Sequence, residues 1–383
     1  MQCFSWPRRS RITSPASSWI STADYIWGET MASIENKGTT RLVEASKLLA
    51  FGQKVLMACG VPGEDAYIVA DCLTTANLSG IDSHGFVRLA HYVRRLDNGT
   101  IKARPVITFQ RTAPSVGIVD GGDGLGHVVT YRACTEAMKL AEETGVGAVA
   151  VKNSSHFGMT GYYVLRMVAE GYAAMVTTTT DAFLIPFGGR KAFFGTNPIA
   201  FGFPSEGIPV VLDMATTSVP YGKIALAKLE GKPIPPDWGF DAEGNPTTDP
   251  NKVAGLHPIA GPKGSGLAMI IDIFSCLLSG MPFGPHVPGM YTEMDKRRQL
   301  GHFVLALDIK RFLPLDEFKR RLKQMTDELN AVPPAAGFTR VLYPGQLEGE
   351  TRLRRAAEGI PIDPGLYQEL EGLAKRFNIP FPG

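Results

Sequence analysis

The 383-residue chain carries 39 basic and 37 acidic side chains, a formal charge of +2, with 44% hydrophobic and 20% charged residues. That is enough chain for two domains at roughly 100–200 residues each, and a balance so near neutral offers neither a nucleic-acid groove nor a polybasic membrane anchor. The 42 Gly and 28 Pro lie between apolar segments, which excludes a collagen-like or disordered chain.

Ahead of Met31 the chain holds Arg8, Arg9, Arg11, Trp6, Trp19 and Trp27 without any helical or strand period, and it lacks the apolar centre of a secretory signal. Residues 1–30 are therefore expected to be a disordered extension, with Met31 the natural start. From Thr40 to Cys59 the apolar residues Leu42, Val43, Leu48, Leu49, Phe51, Val55 and Leu56 follow a helical period, stopped by Gly60 and Pro62. Glu64–Leu78 and His84–Leu96 read as two further helices. β-Branched runs then appear at Val116–Asp120, Gly147–Val151, Ala173–Thr179 and Pro209–Asp213, separated by helical stretches near Val128–Glu143 and Tyr162–Glu170. Such alternation predicts an α/β sheet. The polar, Pro-rich stretch Lys232–Lys252 reads as a long surface loop, and Gly264–Ser279 as an apolar, buried helix. His302–Asp308 reads as a strand, Asp316–Leu329 as an amphipathic helix, Arg340–Tyr343 as a strand and Pro364–Phe377 as a closing helix.

The five cysteines are far apart, with no C-x-x-C, so packed reduced thiols fit better than a disulfide scaffold or structural zinc. None of the seven histidines forms an H-E-x-x-H pattern, and no metal is expected. No apolar run reaches the ~18 residues of a membrane span. A cytoplasmic protein is expected.

The glycines Gly121, Gly122, Gly124 and Gly126 follow a strand but do not fit G-x-G-x-x-G, so a nicotinamide cofactor would need another device. In Asp82-Ser83-His84-Gly85-Phe86-Val87-Arg88, Asp82 or Ser83 can cap a helix on which His84 and Arg88 share a face. An imidazole and a guanidinium so placed could converge on a small carboxylate, which Arg grips through two parallel bonds; a solvated face with Arg88 paired to a surface acid is the other reading. Asn153-Ser154-Ser155-His156-Phe157-Gly158 follows a buried strand, where a histidine could exchange a proton with a substrate or serve as a structural hydrogen-bonding residue. Pro186–Gly189, Gly195–Pro198, Asp213–Thr217 and Gly261–Gly266 are loops of small and hydroxyl-bearing residues that let backbone amides approach phosphate or ribose.

In this order the motifs Asp82-Ser83-His84-Gly85, Asn153–Gly158, Pro186–Gly189, Gly195–Pro198, Asp213-Met214-Ala215-Thr216 and Lys263-Gly264 resemble the type 2 malate/L-lactate dehydrogenase family, which includes ureidoglycolate and sulfolactate dehydrogenases, diketogulonate reductase and cyclic-imine carboxylate reductases. The likeness runs from about Lys37 to Pro380. It implies a non-Rossmann α/β fold with an N-terminal helical layer and a central mixed sheet. It implies NAD or NADP, a homodimer, and hydride transfer between nicotinamide and the alpha carbon of a small 2-hydroxy or 2-oxo acid such as malate, lactate or ureidoglycolate. By the same likeness His156 is the general acid/base, with His84 as its rival, and Ser83 and Arg88 orient the substrate. Thr180, Asp213, Met214, Ala215, Thr216, Lys263, Gly264, Ser265, Pro344, Gly345 and Gln346 would surround the cofactor. The expected domains are a helical one over 31–112 that packs with 310–383, and a cofactor-binding α/β domain over 113–309. Ser265 stands where the family usually has an aromatic, and Asp181 could favour a substrate with an amino or amide donor. Cyclic-imine reduction and a non-catalytic ligand-binding relative are the alternative functions.

Overall fold

The computed structural model describes residues 40–382; the expectation for residues 1–30 lies outside them. A short strand, β1 (Arg41–Val43), precedes α1 (Ala45–Ala58), so the first helix starts later than its apolar period suggests. Next comes α2 (Gly63–Leu78). The expected helix from His84 is instead two 3-10 turns, Asp82–His84 and Phe86–Arg88, ahead of α3 (Leu89–Asp97). Gly85 makes the break: its ψ of −146° is not helical, and the Phe86 N–H donates to Asn77 Oδ1 at 2.9 Å rather than up a helix. A Cβ on Gly85 would sit 2.1 Å from that same Asn77 oxygen, so the turn depends on glycine. Asp82 and Ser83 consequently cap no helix.

The sheet begins with β2 (Thr108–Ala113) and β3 (Val116–Asp120). It continues through α4 (Gly126–Thr144), β4 (Val146–Ser154), α5 (Thr160–Ala169), β5 (Tyr172–Thr178), β6 (Ile199–Phe203) and β7 (Val210–Met214). After α6 (Tyr221–Glu230), the stretch expected as a surface loop forms β8 (Gly239–Phe240), which pairs with β9 (Gly255–Leu256). Its Ile234 and Trp238 are buried against Val219, Ile224 and Leu256; these two apolar side chains among polar neighbours were the overlooked signal. Then follow α7 (Pro262–Asp272), continued by one π-helical stretch over Ile273–Leu277, β10 (Leu300–Asp308), α8 (Leu315–Asn330), α9 (Gln346–Glu358), β11 (Ile360–Ile362) and α10 (Pro364–Phe377). The helix α7 is not buried all round: Ala268 and Ile271 face inward, while Met269 and Ile270 on α7 and Leu277 and Leu278 just beyond it are about half exposed. Arg340–Tyr343 is not a strand; Pro344 follows at once, and its carbonyl alone meets β7, through Val211 N–H at 3.0 Å.

The seven strands run β2-β3-β4-β10-β5-β6-β7, with β3–β4 the one parallel pair. This is a mixed, mostly antiparallel sheet, not a doubly wound one. Its centre is β10, whose apolar run fits a strand covered on both faces. Helix α4 packs on it through Ala133, Ala137 and Ala141, so closely that a Cβ on Gly147 would fall 1.9 Å from the Ala137 carbonyl oxygen. A separate core joins α1, α2 and α3 to β11 and α10 through Leu48, Phe51, Leu73, Leu89, Ile360 and Leu370. The pairing of β1 with β11 closes this second core.

Candidate active site

Register fixes where the site can lie. Ser154 at the end of β4 opposes Leu300, and Thr178 at the end of β5 opposes His302, so both strands finish beside the start of β10. The chains leaving β4 and β5 are thus about 10 Å apart, two strand spacings. His302 clamps the pair: its Nδ1 lies 2.7 Å from Thr178 Oγ1 and its Nε2 2.8 Å from Ser154 Oγ. The Phe157 ring stacks on it at 4.6 Å. Burial pushes His302 down to about 3, so it is a neutral structural histidine. The Gly121–Gly126 turn docks on the loop after β4, where Ser155 Oγ accepts from Gly126 N–H and donates to Gly124 O, each at 2.9 Å.

Two residues beyond Ser154, His156 meets the turn that carries His84. The imidazole centroids are 5.9 Å apart and nearly parallel, at 19°. Ser83 Oγ lies 3.0 Å from His84 Nδ1. Arg88 stands beside them without a shared helix face, because its Nε–H donates to the Ser83 carbonyl at 2.7 Å and folds the side chain back over the turn. Its Nη1 also meets the Tyr291 hydroxyl. Sequence reading did not find Tyr291, nor Tyr92, whose hydroxyl lies 2.7 Å from His156 Nδ1. Desolvation and then the Arg88 charge push His84 down to about 4. His156 is held well below the ordinary imidazole value by burial first, then by His84, Arg88, His127 and Arg298. Both rings are therefore uncharged near neutral pH.

Buried arginines hold this arrangement. Arg355 on α9 grips the Asp82 carboxylate at 2.8 and 3.1 Å and also donates to the Asn77 carbonyl. Arg95, fully buried on α3, donates to the carbonyls of Met290 and Lys296 at 2.7 Å each and so fixes the loop bearing Tyr291. Arg298, 2% exposed, pairs with Asp181 at 2.8 Å. This engages Asp181 Oδ1 and leaves its side chain 38% exposed.

The residues expected around a cofactor fall into one linked run. Thr180 Oγ1 accepts from Thr196 N–H at 2.9 Å, Thr196 O from Thr216 N–H at 2.8 Å, Thr216 O from Ile259 N–H at 2.9 Å, and Ile259 O from Gly264 N–H at 3.0 Å. A Cβ on Gly264 would lie 2.1 Å from the Ile259 oxygen. Ser265 Oγ accepts from Phe187 N–H at 3.1 Å and ties in the Pro186–Gly189 turn. Lys263, in the first turn of α7, is exposed and has no ion pair among the described residues. Met214 and Ala215 at the end of β7 are partly exposed. Asp213 accepts from Gly161 N–H at 2.7 Å in the first turn of α5, and burial raises its carboxyl to about 6. Pro344-Gly345-Gln346 packs against β7, since Gly345, at φ +85°, leaves only 2.8 Å for a Cβ beside the Val211 oxygen. Among the described residues no three His, Cys, Asp or Glu side chains form a group that could hold a metal, and no helix is long and apolar enough to cross a membrane.

Comparison with known proteins gives consistent likenesses. The family model described as malate/L-lactate dehydrogenase matches residues 43–371. A malate dehydrogenase of Pyrococcus horikoshii is 39% identical over 350 residues, 88% of this chain and 96% of that one. A ureidoglycolate dehydrogenase (NAD(+)) of Escherichia coli K12 is 37% identical over 316 residues, 82% of this chain and 90% of that one. The solved structure of the sulfolactate dehydrogenase from Methanocaldococcus jannaschii superposes with a TM-score of 0.84 at 35% identity, covering 89% of this chain and 98% of that one.

Proposed function

The chain belongs to the malate/L-lactate dehydrogenase family, and from that premise we propose that a small 2-hydroxy or 2-oxo acid reacts where His84, Arg88 and His156 meet. The enzyme is an NAD(P)-dependent oxidoreductase acting on the CH–OH group of such acids. The observation that carries the site is the meeting of two neutral imidazoles and one guanidinium from segments some 70 residues apart in sequence, with the rings 5.9 Å from each other.

NAD or NADP fits the residues present. Gly264 and Gly345 keep the backbone bare where a side chain would not fit, Gly266 opens on free space, and Lys263 offers an unpaired cation for a phosphate. Thr180, Met214–Thr216, Lys263–Ser265 and Pro344–Gln346 would hold the cofactor, with Asp213 buttressing the β7 end. When bound, the nicotinamide supplies the hydride acceptor for oxidation and the donor for reduction.

The side chains do the rest. Arg88 has its Nε committed to Ser83, so its Nη edge receives the substrate carboxylate once Tyr291 gives way. Ser83 orients the same end of the substrate. His156 takes the hydroxyl proton at Nε2 during oxidation and returns it during reduction, assistance worth about 10²–10⁴-fold. Before substrate arrives, burial and the Arg88 charge oppose an imidazolium. A carboxylate seated on Arg88 offsets the Arg88 part of that opposition, so the ring gains basicity when substrate is bound.

A homodimer is supported by the exposed apolar residues Met269, Ile270, Leu277 and Leu278 along one helical face, and is checked by sedimentation of Ile270→Asp, which should shift to monomer. Cytoplasmic residence is supported by the free thiols of Cys59, Cys72, Cys134 and Cys276. The direct test of function is absorbance at the NADH band with a panel of 2-oxo acids and cyclic imines. Oxidation of NADH or NADPH by at least one 2-oxo acid is expected; cofactor binding with no oxidation by any of them would contradict the proposal.

A further inference from the structure

We infer that Tyr92 is a positioning residue that sets which nitrogen of His156 carries the proton; this rests on the proposed acid/base role of His156. The Tyr92 hydroxyl lies 2.7 Å from His156 Nδ1, and the backbone N–H of Gly158 points at the same nitrogen from 3.4 Å. A hydroxyl can donate or accept, whereas a backbone amide can only donate. The two partners agree in one way: Nδ1 accepts from both, and the neutral ring holds its proton on Nε2. Gly158 reaches back to the ring because its φ is +77°, and it is pinned there, since a Cβ would lie 2.8 Å from His127 Nε2 and 3.0 Å from Cys72 Sγ.

Tyr92 is fully buried on α3 and cannot swing away. Its ring stands edge-on to His127 at 4.8 Å and to His91 at 5.9 Å. The titratable and charged groups that act on His156 are His84 and Arg88 from the 3-10 turns, His127 from α4 and Arg298 from the chain ahead of β10. Those that act on Tyr92 are Arg88, Cys72 and Tyr291. No carboxylate is among them. The Tyr92 oxygen is therefore the group placed to accept from Nδ1 when the ring becomes an imidazolium.

The neutral resting ring presents an N–H to the substrate oxygen as a hydrogen-bond donor only; delivering a proton to a 2-oxo acid starts from the imidazolium and leaves a neutral ring with its proton on Nδ1. Taking a hydroxyl proton at Nε2 requires the ring proton on Nδ1, with the Tyr92 hydroxyl turned from donor to acceptor. Tyr92 thereby links the ring's tautomer to both directions of the reaction without touching substrate.

The test is ¹⁵N-histidine NMR of the full chain, with the His156 signals identified by their loss in His156→Ala. At neutral pH the wild type should show an unprotonated Nδ1 and a protonated Nε2. Tyr92→Phe should raise the Nδ1-protonated form, slow oxo-acid reduction about tenfold through loss of one hydrogen bond to a charged ring, and move the pH limb of reduction downward. A wild-type ring protonated on Nδ1 overturns the inference. So does a Tyr92→Phe protein in which either the tautomer or the pH limb stays unchanged, whatever its rate. Should that variant not fold, the wild-type spectrum decides. Failure of the acid/base assignment shows separately, as full turnover by His156→Ala.

Discussion

Replacing Arg88 by Ala removes the guanidinium that the Ser83 carbonyl holds over the two imidazoles. With Nε engaged, the remaining Nη edge can give a substrate carboxylate two parallel bonds. Charge-assisted hydrogen bonds are worth about 1.5–3 kcal/mol each and do not add fully, so about 3 kcal/mol is lost, or about 10²-fold in kcat/KM. Because the carboxylate is held in the ground state as well as the transition state, most of this should appear as a raised KM. A second effect has a definite sign. Arg88 depresses both His84 and His156, so without it both rings protonate more easily. Oxidation needs His156 neutral, and its acid limb should move to higher pH. Initial rates at the NADH band, with substrate titrated across the pH range, read both quantities. An unchanged KM together with an unmoved acid limb would refute the assignment of Arg88 to the substrate.

Arg355→Met should leave Asp82 facing a partly buried site with its guanidinium gone. The loss is about 3 kcal/mol, at the low end for a broken buried pair because Asp82 keeps some solvent, and should appear as a lower Tm together with a higher KM as the His84 turn loosens. A wild-type Tm would show that Arg355 does not anchor the turn. His302 has a folded-state value of about 3 against an ordinary 6.5. The unfolded chain therefore binds a proton first, and this contribution to stability is complete above 6.5 and is lost as pH falls toward 3. Denaturant unfolding of His302→Asn should be less steeply dependent on pH in that window; an identical slope would contradict the neutral clamp.

Much of the fold was legible because its apolar periods are strong. Val116–Asp120 and Pro364–Phe377 read from sequence with the bounds the structure gives. What stayed hidden depends on partners distant in the chain. The break at Gly85 is made by Asn77 on the preceding helix, and no local period announces it. The short β1 exists only because Ile360–Ile362 pairs with it. At the site, His84, Arg88 and His156 were found as residue types that carry chemistry. Tyr92 and Tyr291 belong to none of the sequence motifs, and only the folded chain brings their hydroxyls to His156 and Arg88. The pairing of Asp181 with Arg298, 117 positions away, was hidden for the same reason.

The most direct test of the central claim sets His156→Ala beside His84→Ala, with NADH binding followed by its fluorescence and turnover by its absorbance. His156→Ala should bind NADH as the wild type does while kcat falls by about 10²–10⁴-fold, with a smaller loss in His84→Ala. Wild-type turnover in His156→Ala, with the loss falling on His84→Ala, would contradict the account and move the proton transfer to the other ring.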